Sequence, residues 1–374
     1  MWYGRIGPRM YDRKEVRYCM ASECICKLRA KMAEISADGF LISKPENWRY
    51  VSGFTGDSGV LLITRKDNFL FTDSRYTEQA QSEAPDFTVT KTVLEEDVLK
   101  NTVKNLGLKR LAFEKHYITY AGWERLKEKF EDQELVGVMG WVEDLRMIKN
   151  EEEVEYISKA QQIAEKAFKL LMPRIKAGVS EMELALELEF EMRRMGSEGV
   201  AFPFIVVSGA RSSLPHGQPT EKKLEPGDFV TFDFGARFKG YCSDMTRTVV
   251  VGPLDDKHKE IYNTVLTAQL AALDAIGPAV AAKEVDLAGR KVIEEAGYGE
   301  YFGHGIGHGV GLNVHERPSV GRTSEDILEP GAVITVEPGI YIEGFGGVRI
   351  EDMVLVTKEG KRNLTACEKE LIVI

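Results

Sequence analysis

The sequence has no apolar segment near the roughly 20 residues that a membrane-spanning helix requires. It also lacks a basic excess, because 59 acidic residues outnumber 49 basic residues and give a net charge of −10. A general nucleic-acid binder needs a basic surface that neutralises phosphates. We therefore expect a soluble protein with neither nucleic acid nor a membrane among its partners.

Cysteine is scarce, with five in 374 residues. An odd number argues against a disulfide framework, and the cluster Cys19, Cys24 and Cys26 has no second cluster to complete a four-thiolate zinc site. A cytoplasmic location is predicted. The sequence also lacks a G-x-S-x-G motif, and Cys242 has no neighbour that would activate it, so a serine or cysteine nucleophile is not expected.

The N-terminal segment is basic but lacks the apolar central stretch of a secretory signal. Residues 1–19 are predicted to be a loose tail. Helical periodicity begins after Met20, which is a candidate start of the protein, and Ser22 is a candidate helix cap.

The length of the chain indicates two domains, and 43% hydrophobic residues are enough for a core in each. Residues 20–145 alternate short β-like runs with turn signals and helical stretches, which predicts a mixed α/β domain. A long amphipathic helix begins at Glu151, with Asn150 as its cap. The second domain is therefore placed at residues 146–374.

The second domain contains an internal repeat. The segments LEPGDFVTFDFG and LEPGAVITVEPG begin at positions 224 and 328, and each carries an acid at its tenth position. A second strand-like run follows each segment and contains another acid. The four acids are Asp233 and Asp244 in the first copy, and Glu337 and Glu351 in the second. Two copies related by an approximate twofold axis would place these acids face to face.

Four converging carboxylates in an apolar interior would repel each other, so protons, arginines or cations must compensate their charge. Two divalent cations would neutralise all four, and carboxylates bridge such ions at about 3.5–4 Å in two-metal hydrolases. Oxygen ligands with one imidazole favour Mn²⁺, although Co²⁺ or Zn²⁺ could use the same ligands. The alternative is that the acids form salt bridges with Arg247 and Arg349.

Five of the six histidines lie in the C-terminal half, three of them in GHGIGHGVGLNVHE. Glycines flank His304 and His308 and exclude a stable helix, so an extended strand or loop near an ion or substrate is predicted, with a flexible surface loop as the alternative. A dinucleotide-binding loop fits less well. His216 lies in a polar loop, whereas His116 and His258 are expected to be structural or exposed.

Several motifs together resemble the pita-bread metallopeptidases, in the branch that contains aminopeptidase P and prolidase. They are FDFGARFKGYCSDMTRT, GHGIGHGVGLNVHE, VEPGIY and GGVRIED. YVSGFTGDSGVLLIT and FTDSRYTEQA are similar to the creatinase-type domain that precedes the catalytic domain in aminopeptidase P. The resemblance implies an α+β protein with an N-terminal creatinase-type α/β domain and a pseudo-twofold pita-bread catalytic domain.

The resemblance also implies a role for each matching residue. Asp233 would bind one metal, Asp244 and Glu351 would bridge the pair, and His308 and Glu337 would bind the other. His216 and His315 resemble residues that polarise the substrate, and His304 resembles one that lines the proline pocket. Tyr341 and Arg349 resemble supporting residues near the metals, and Glu337 is a candidate to pass a proton to the leaving nitrogen.

The implied reaction is removal of the first residue from peptides with proline at the second position, by a hydroxide that bridges two metal ions. FTDSRYTEQA favours an aminopeptidase over the alternative, a prolidase that cleaves only Xaa-Pro dipeptides. A non-catalytic peptide-binding module, a creatinase-like amidinohydrolase and a methionine aminopeptidase fit less well, the first two because all five metal ligands are present. The family also implies a homodimer.

Overall fold

The computed structural model describes residues 13–92 and 97–374, and the side chains of residues 13–22 lie outside this description. The chain folds into two compact units that meet in sequence at Leu145 and Arg146. Among the described helices, none is both long enough and apolar enough to cross a membrane.

The N-terminal unit is built around a mixed sheet. Its strands are β1 (Gly39–Ile42), β2 (Val60–Thr64), β3 (Asn68–Thr72), β4 (Thr88–Lys91), β5 (Arg110–Glu114) and β6 (Glu134–Val138), in the spatial order β4-β3-β2-β1-β5-β6. Its helices are α1 (Arg13–Glu34), α2 (Pro45–Ser52), α3 (Thr77–Glu83), α4 (Val98–Asn105), α5 (Tyr120–Lys129) and α6 (Trp141–Met147). An apolar cluster covers each face of the sheet, so strands such as β1 are buried on both faces.

The first helix begins earlier than predicted. It starts at Arg13, so the predicted start after Met20 is wrong, and Ser22 lies inside the helix instead of capping it. Residues 13–19 of the predicted loose tail are helical, and residues 1–12 lie outside the described residues. Arginine, lysine and glutamate have good helix propensity, so a helix can extend past the end of its apolar stripe, where periodicity gives no signal.

The C-terminal unit begins with two helices, α7 (Glu151–Leu171) and α8 (Glu181–Arg194), and repeats them as α9 (Asp256–Ala275) and α10 (Ala282–Glu295). The predicted cap of α7 is confirmed: Asn150 accepts from the Glu153 backbone, and the Glu153 carboxylate accepts from the Asn150 backbone. Each helix pair packs on its own apolar cluster against its own sheet.

The strands of the C-terminal unit form two principal sheets. The first copy contains β7 (Gly199–Val200), β8 (Ile205–Ser208), β9 (Phe229–Phe234), β10 (Ala236–Phe238), β11 (Tyr241–Cys242) and β12 (Met245–Val250). The second contains β13 (Gly307–Gly309), β14 (Glu316–Val320), β15 (Val333–Val336), β16 (Gly339–Ile342), β17 (Gly346–Arg349), β18 (Asp352–Thr357), β19 (Gly360–Asn363) and β20 (Ile372–Val373). The sheet orders are β20-β12-β9-β8 and β14-β13-β15-β18-β19, so β9/β12 and β15/β18 are equivalent antiparallel pairs.

Candidate metal centre

The two antiparallel strand pairs bring the four predicted acids together. Asp233 lies in β9 and Asp244 immediately precedes β12, at the end where Phe234 pairs with Met245. Glu337 follows β15 and Glu351 precedes β18, where Val336 pairs with Asp352. The backbone amide of Glu351 donates to the Thr246 carbonyl oxygen at 3.1 Å, which joins the two strand pairs at the site.

His308 enters from β13, as the predicted extended segment. Its Nε2 lies 3.3 Å from Glu337 Oε1 and 3.6 Å from Asp244 Oδ2. A β-carbon on the preceding residue, Gly307, would lie 2.0 Å from the Thr335 carbonyl oxygen, so only glycine lets this strand approach β15 so closely. One ligand atom from each of Asp244, His308 and Glu351 lies within 4.8 Å of the others.

The carboxylates have unsatisfied oxygens. Asp233 Oδ1 and Asp244 Oδ1 are buried, and neither has a hydrogen-bond partner among the described residues. A buried charged oxygen without a partner is unfavourable and calls for an ion or another ligand. Four carboxylates and one imidazole form a donor set that suits divalent cations such as Mn²⁺, Co²⁺ or Zn²⁺.

The electrostatics of the cluster also favour bound cations. Burial raises the pKa of Asp244 well above its usual range, and the charges of Glu351 and Asp233 raise it further. The pKa of Glu351 is also well above its usual range because of burial and the charges of Glu337 and Asp233. The protein alone therefore does not stabilise all the negative charges of the site, whereas bound cations would.

Glu337 behaves differently from the other acids. Burial alone would raise its pKa, but the hydrogen bond and charge of His308 lower it to about 2. Burial alone would lower the pKa of His308, but the hydrogen bond and charge of Glu337 outweigh it and raise the pKa of this imidazole. Glu337 is thus ionised throughout the neutral range.

The alternative prediction was that arginines form salt bridges with the acids, and among the four acids this holds only for Asp233. Arg349 Nη2 donates to Asp233 Oδ2 at 2.6 Å. Arg247 instead pairs with Asp352 at 2.8 Å and donates to the Glu351 carbonyl oxygen, not to its carboxylate. No lysine or arginine pairs with Asp244 among the residues that the structure describes.

Three more histidines were expected at the site. The His315 ring lies 4.2 Å from the His308 ring, measured between centroids. Burial lowers the pKa of His315, and the nearby charges of His308 and His216 contribute to this. His216 follows Pro215, whose carbonyl oxygen accepts from Arg349 at 3.3 Å. His315 therefore lies beside His308, and His216 directly follows a residue that Arg349 contacts.

His304 belongs to a chain of hydrogen bonds that ends at an acid. Its Nε2 lies 2.9 Å from the Tyr341 hydroxyl, which accepts from Arg349 Nη1 at 2.9 Å, and Arg349 in turn holds Asp233. Burial lowers the pKa of His304, which leaves its ring neutral near pH 7. A cavity of about 470 Å³ opens beside His304.

His258 and His116 lie elsewhere. His258 is buried, with its ring nitrogens 2.6 Å from Asp255 and 2.9 Å from the Gly227 carbonyl oxygen. His116 lies in the N-terminal unit, where its Nε2 is 2.9 Å from Glu143 Oε1. Both histidines contact polar groups of their own surroundings.

Two threonines that orient the acids were not among the predicted site residues. Thr246 donates to Glu351 Oε2 at 2.7 Å and accepts from Arg349 Nε at 3.1 Å. Thr335 accepts from the His308 backbone amide at 3.0 Å and donates to Glu337 Oε1 at 3.3 Å. Each threonine is two residues from an acid, so the alternation of side chains along a strand could have identified both.

Comparison with known proteins gives two family matches. Residues 25–148 match the creatinase/prolidase N-terminal domain, and residues 155–358 match metallopeptidase family M24. A similar protein is the Xaa-Pro dipeptidase of Pyrococcus horikoshii, with 42% identity over 94% of this chain and 99% of its own.

Similar solved structures include the Xaa-Pro dipeptidase from Bacillus anthracis, with a TM-score of 0.92 and 47% identity over 95% of this chain and 100% of that one. The X-Pro aminopeptidase from Thermotoga maritima has a TM-score of 0.85 and 42% identity, covering 91% and 98% of the two chains. The predicted α+β fold class, a creatinase-type domain followed by a pita-bread domain, is confirmed.

Proposed function

This chain belongs to metallopeptidase family M24, and from that premise we propose that it hydrolyses Xaa-Pro dipeptides with the help of two divalent cations. The observation that carries the proposal is the cluster of Asp244, His308 and Glu351, together with one oxygen each of Asp233 and Asp244 that has no partner among the described residues. The preference for dipeptides follows the names of relatives such as the Pyrococcus horikoshii and Bacillus anthracis enzymes.

Asp233, Asp244, His308, Glu337 and Glu351 would hold the cations, and we propose manganese as the native metal. When bound, such ions supply Lewis-acid activation of water and of the scissile carbonyl group. Arg349 donates to Asp233, and His308 lies beside Glu337, so each of these two ligands has a partner within the protein.

The histidines and Glu337 would carry the remaining chemistry. His315 and His216 would donate a hydrogen bond to the substrate carbonyl oxygen as negative charge develops on it. Glu337 is our candidate to pass a proton from the attacking water to the proline nitrogen, which must gain a proton to leave. The neutral His304 ring can contact the proline side of the substrate.

Hydrolysis of Ala-Pro and of Ala-Pro-Pro, each with added Mn²⁺ and with a chelator, tests this proposal. We expect metal-dependent cleavage of Ala-Pro and at least about tenfold weaker cleavage of Ala-Pro-Pro, a discrimination of about 1.4 kcal/mol. The second candidate is an Xaa-Pro aminopeptidase, which the likeness to the Thermotoga maritima enzyme supports. Efficient cleavage of Ala-Pro-Pro would select it, and no cleavage of either peptide would contradict both.

The cavity beside His304 offers a specific test of dipeptide selection. Arg322, Ser319 and Thr323 line it, and Arg322 Nη2 lies 3.0 Å from Glu294 Oε1. A dipeptide brings a free carboxylate to the proline side, and an arginine can bind it. We expect Arg322→Ala to raise KM for Ala-Pro by about tenfold, the effect of one exposed charge-assisted hydrogen bond, and to leave KM for Ala-Pro-amide unchanged.

Glu294→Gln is the matched control, because it removes the surface partner of Arg322 but keeps the guanidinium. It should leave KM for Ala-Pro unchanged or lower it. Equal effects of Arg322→Ala on the acid and the amide would show that Arg322 does not bind the carboxylate. The homodimer and the cytoplasmic location stay predictions.

A further inference from the structure

A buried ion pair on α10 lies outside the cluster of metal-ligand candidates. Asp286 is fully buried and Arg290, one turn later, is 5% exposed. The pair is bidentate, with Arg290 Nε 2.7 Å from Asp286 Oδ2 and Nη2 2.8 Å from Oδ1. Burying such a pair has a desolvation cost that its mutual attraction only partly offsets, so stability alone does not explain the pair.

The pair also binds the backbone of the segment 302–306. Arg290 Nη1 donates to the Phe302 carbonyl oxygen at 3.1 Å, and Nη2 donates to the His304 carbonyl oxygen at 2.6 Å. Asp286 Oδ1 accepts from the Ile306 backbone amide at 3.0 Å. Two side chains thus hold three alternate residues of one segment, and the Arg290 guanidinium also lies 4.2 Å from the centre of the Phe302 ring.

The segment needs such restraint because glycine occupies its other two positions, 303 and 305. Glycine adopts many backbone conformations, so these residues alone do not determine where His304 points. Gly289 brings α10 close enough for the contacts: a β-carbon there would lie 2.3 Å from Ile306 Cδ1 and 3.0 Å from the Ala268 carbonyl oxygen. Asp286, Gly289 and Arg290 share one face of the helix at spacings of three and four residues.

The held segment leads directly to the metal centre. His304 bonds the Tyr341 hydroxyl, which is connected through Arg349 to Asp233. The Ile306 carbonyl oxygen accepts from the backbone amide of Glu337 at 2.8 Å. A shift of the segment would therefore move the imidazole away from Tyr341 and from the cavity that His304 and Arg290 both line.

We propose that Asp286 and Arg290 are positioning residues that hold the segment 302–306 and thereby place His304 at the proline side of the substrate pocket. This inference rests on the proposed function for the identity of the substrate. The backbone restraint itself is independent of the reaction and can be measured in the metal-free protein.

Arg290→Met tests the proposal, with Lys291→Met as the matched control. Lys291 is the next residue on α10, its side chain is 67% exposed, and it pairs only loosely with Glu295 at 3.7 Å. We expect Arg290→Met to lower kcat/KM for Ala-Pro about 10- to 100-fold, mainly through KM, because binding geometry is lost. Bound metal should stay at the wild-type stoichiometry, and Lys291→Met should behave like wild type.

A double-mutant cycle with His304→Ala separates positioning from general destabilisation. If Arg290 acts through His304, then Arg290→Met should change KM less than about twofold in the His304→Ala background. Independent effects that multiply in the double variant would overturn the proposal, as would an unchanged KM in Arg290→Met.

Hydrogen exchange gives a readout that does not depend on activity. In the metal-free protein, peptides covering residues 302–308 should exchange faster in Arg290→Met than in Lys291→Met, because the backbone contacts are lost. If Arg290→Met does not fold, Arg290→Lys keeps the charge without the planar fork and should show the same two effects to a smaller degree. Wild-type KM and exchange in Arg290→Lys would then overturn the proposal.

The two possible failures are distinguishable. A wild-type protein that cleaves no Xaa-Pro peptide removes the proposed function but leaves the exchange test intact. Wild-type cleavage combined with unchanged exchange in Arg290→Met removes the positioning role alone.

Discussion

Asp244→Asn is expected to abolish hydrolysis and, at the same time, to stabilise the metal-free protein. Asp244 is a buried acid beside His308 and several other acids, and one of its oxygens has no hydrogen-bond partner among the described residues. Loss of this ligand should lower kcat/KM by at least about 1,000-fold, since a metal supplies several kcal/mol of transition-state stabilisation. Elemental analysis should show less bound metal.

The stability effect has the opposite sign. Without metal, the amide removes one of several repelling charges, which should raise the free energy of unfolding by about 1–3 kcal/mol near pH 8. Because the folded state raises the pKa of Asp244, the metal-free wild type loses stability as the pH rises above the usual carboxyl range. The gain from Asp244→Asn should therefore grow with pH and vanish near pH 4. Thermal or urea unfolding in a chelator measures it.

Asp352→Asn is the contrasting control. Asp352 is equally buried, but Arg247 and Lys369 donate to it at 2.8 Å and 2.7 Å, and its pKa is lowered because their charges outweigh burial. Its neutralisation should destabilise the metal-free protein. If Asp244→Asn also destabilised the metal-free protein, or bound metal normally with full activity, its assignment as a metal ligand would be wrong.

Glu316→Gln is expected to have the largest effect on stability. Glu316 lies next to His315, and Arg146 and Lys149 pair with its two oxygens at 2.5 Å and 2.8 Å in a buried cluster. Removal of the anion takes away the carboxylate that both buried cations contact, so the free energy of unfolding should fall by about 3–5 kcal/mol at pH 7. Arg146 also donates to Asn313 at 2.7 Å, so the loop that carries His315 should shift and activity should fall as well.

The pH dependence gives this prediction a further check. Burial alone would raise the pKa of Glu316, but the charges of Lys149 and Arg146 lower it. Its contribution to stability is therefore present above the usual carboxyl pKa and is lost as the pH falls through the lowered value. The difference between wild type and Glu316→Gln should shrink in acid.

An exposed pair provides the control for Glu316→Gln. Glu187 lies 3.4 Å from Arg174, whose side chain is 67% exposed, so Glu187→Gln should change the free energy of unfolding by less than about 0.5 kcal/mol. A loss below about 1 kcal/mol in Glu316→Gln would contradict the importance of the buried cluster.

The repeat was the most informative feature of the sequence. Equivalent strands in two copies predicted that Asp233, Asp244, Glu337 and Glu351 would converge, and the structure brings them around His308. The prediction was possible because strand alternation and duplication are local patterns, and like charges at equivalent buried positions have few physical explanations. The same alternation places Thr246 and Thr335 on the side of the acids, although neither was predicted as a site residue.

Other features of the protein could not be predicted from local sequence patterns. Asp286 and Arg290 are four residues apart on a helix, which is typical of an ordinary surface ion pair. The two side chains contact the backbone of the segment 302–306. No local sequence pattern indicates which backbone groups a side chain will contact. The preference for an aminopeptidase over a dipeptidase stays a prediction for a similar reason, since it rested on FTDSRYTEQA, a motif without a physical link to peptide length.

The sequence by itself determined the class of this protein, because the repeated acids, the glycine-flanked histidines and the family motifs all specify which groups are present. Only the tertiary structure decided how those groups are used. Arg349 donates to Asp233, Arg247 pairs instead with Asp352, and one Asp244 oxygen has no partner in the part of the chain that the structure describes. The physical reason is that the charge state of a buried carboxylate depends on which partners lie within a few ångströms. Those partners come from strands and helices far apart in the chain.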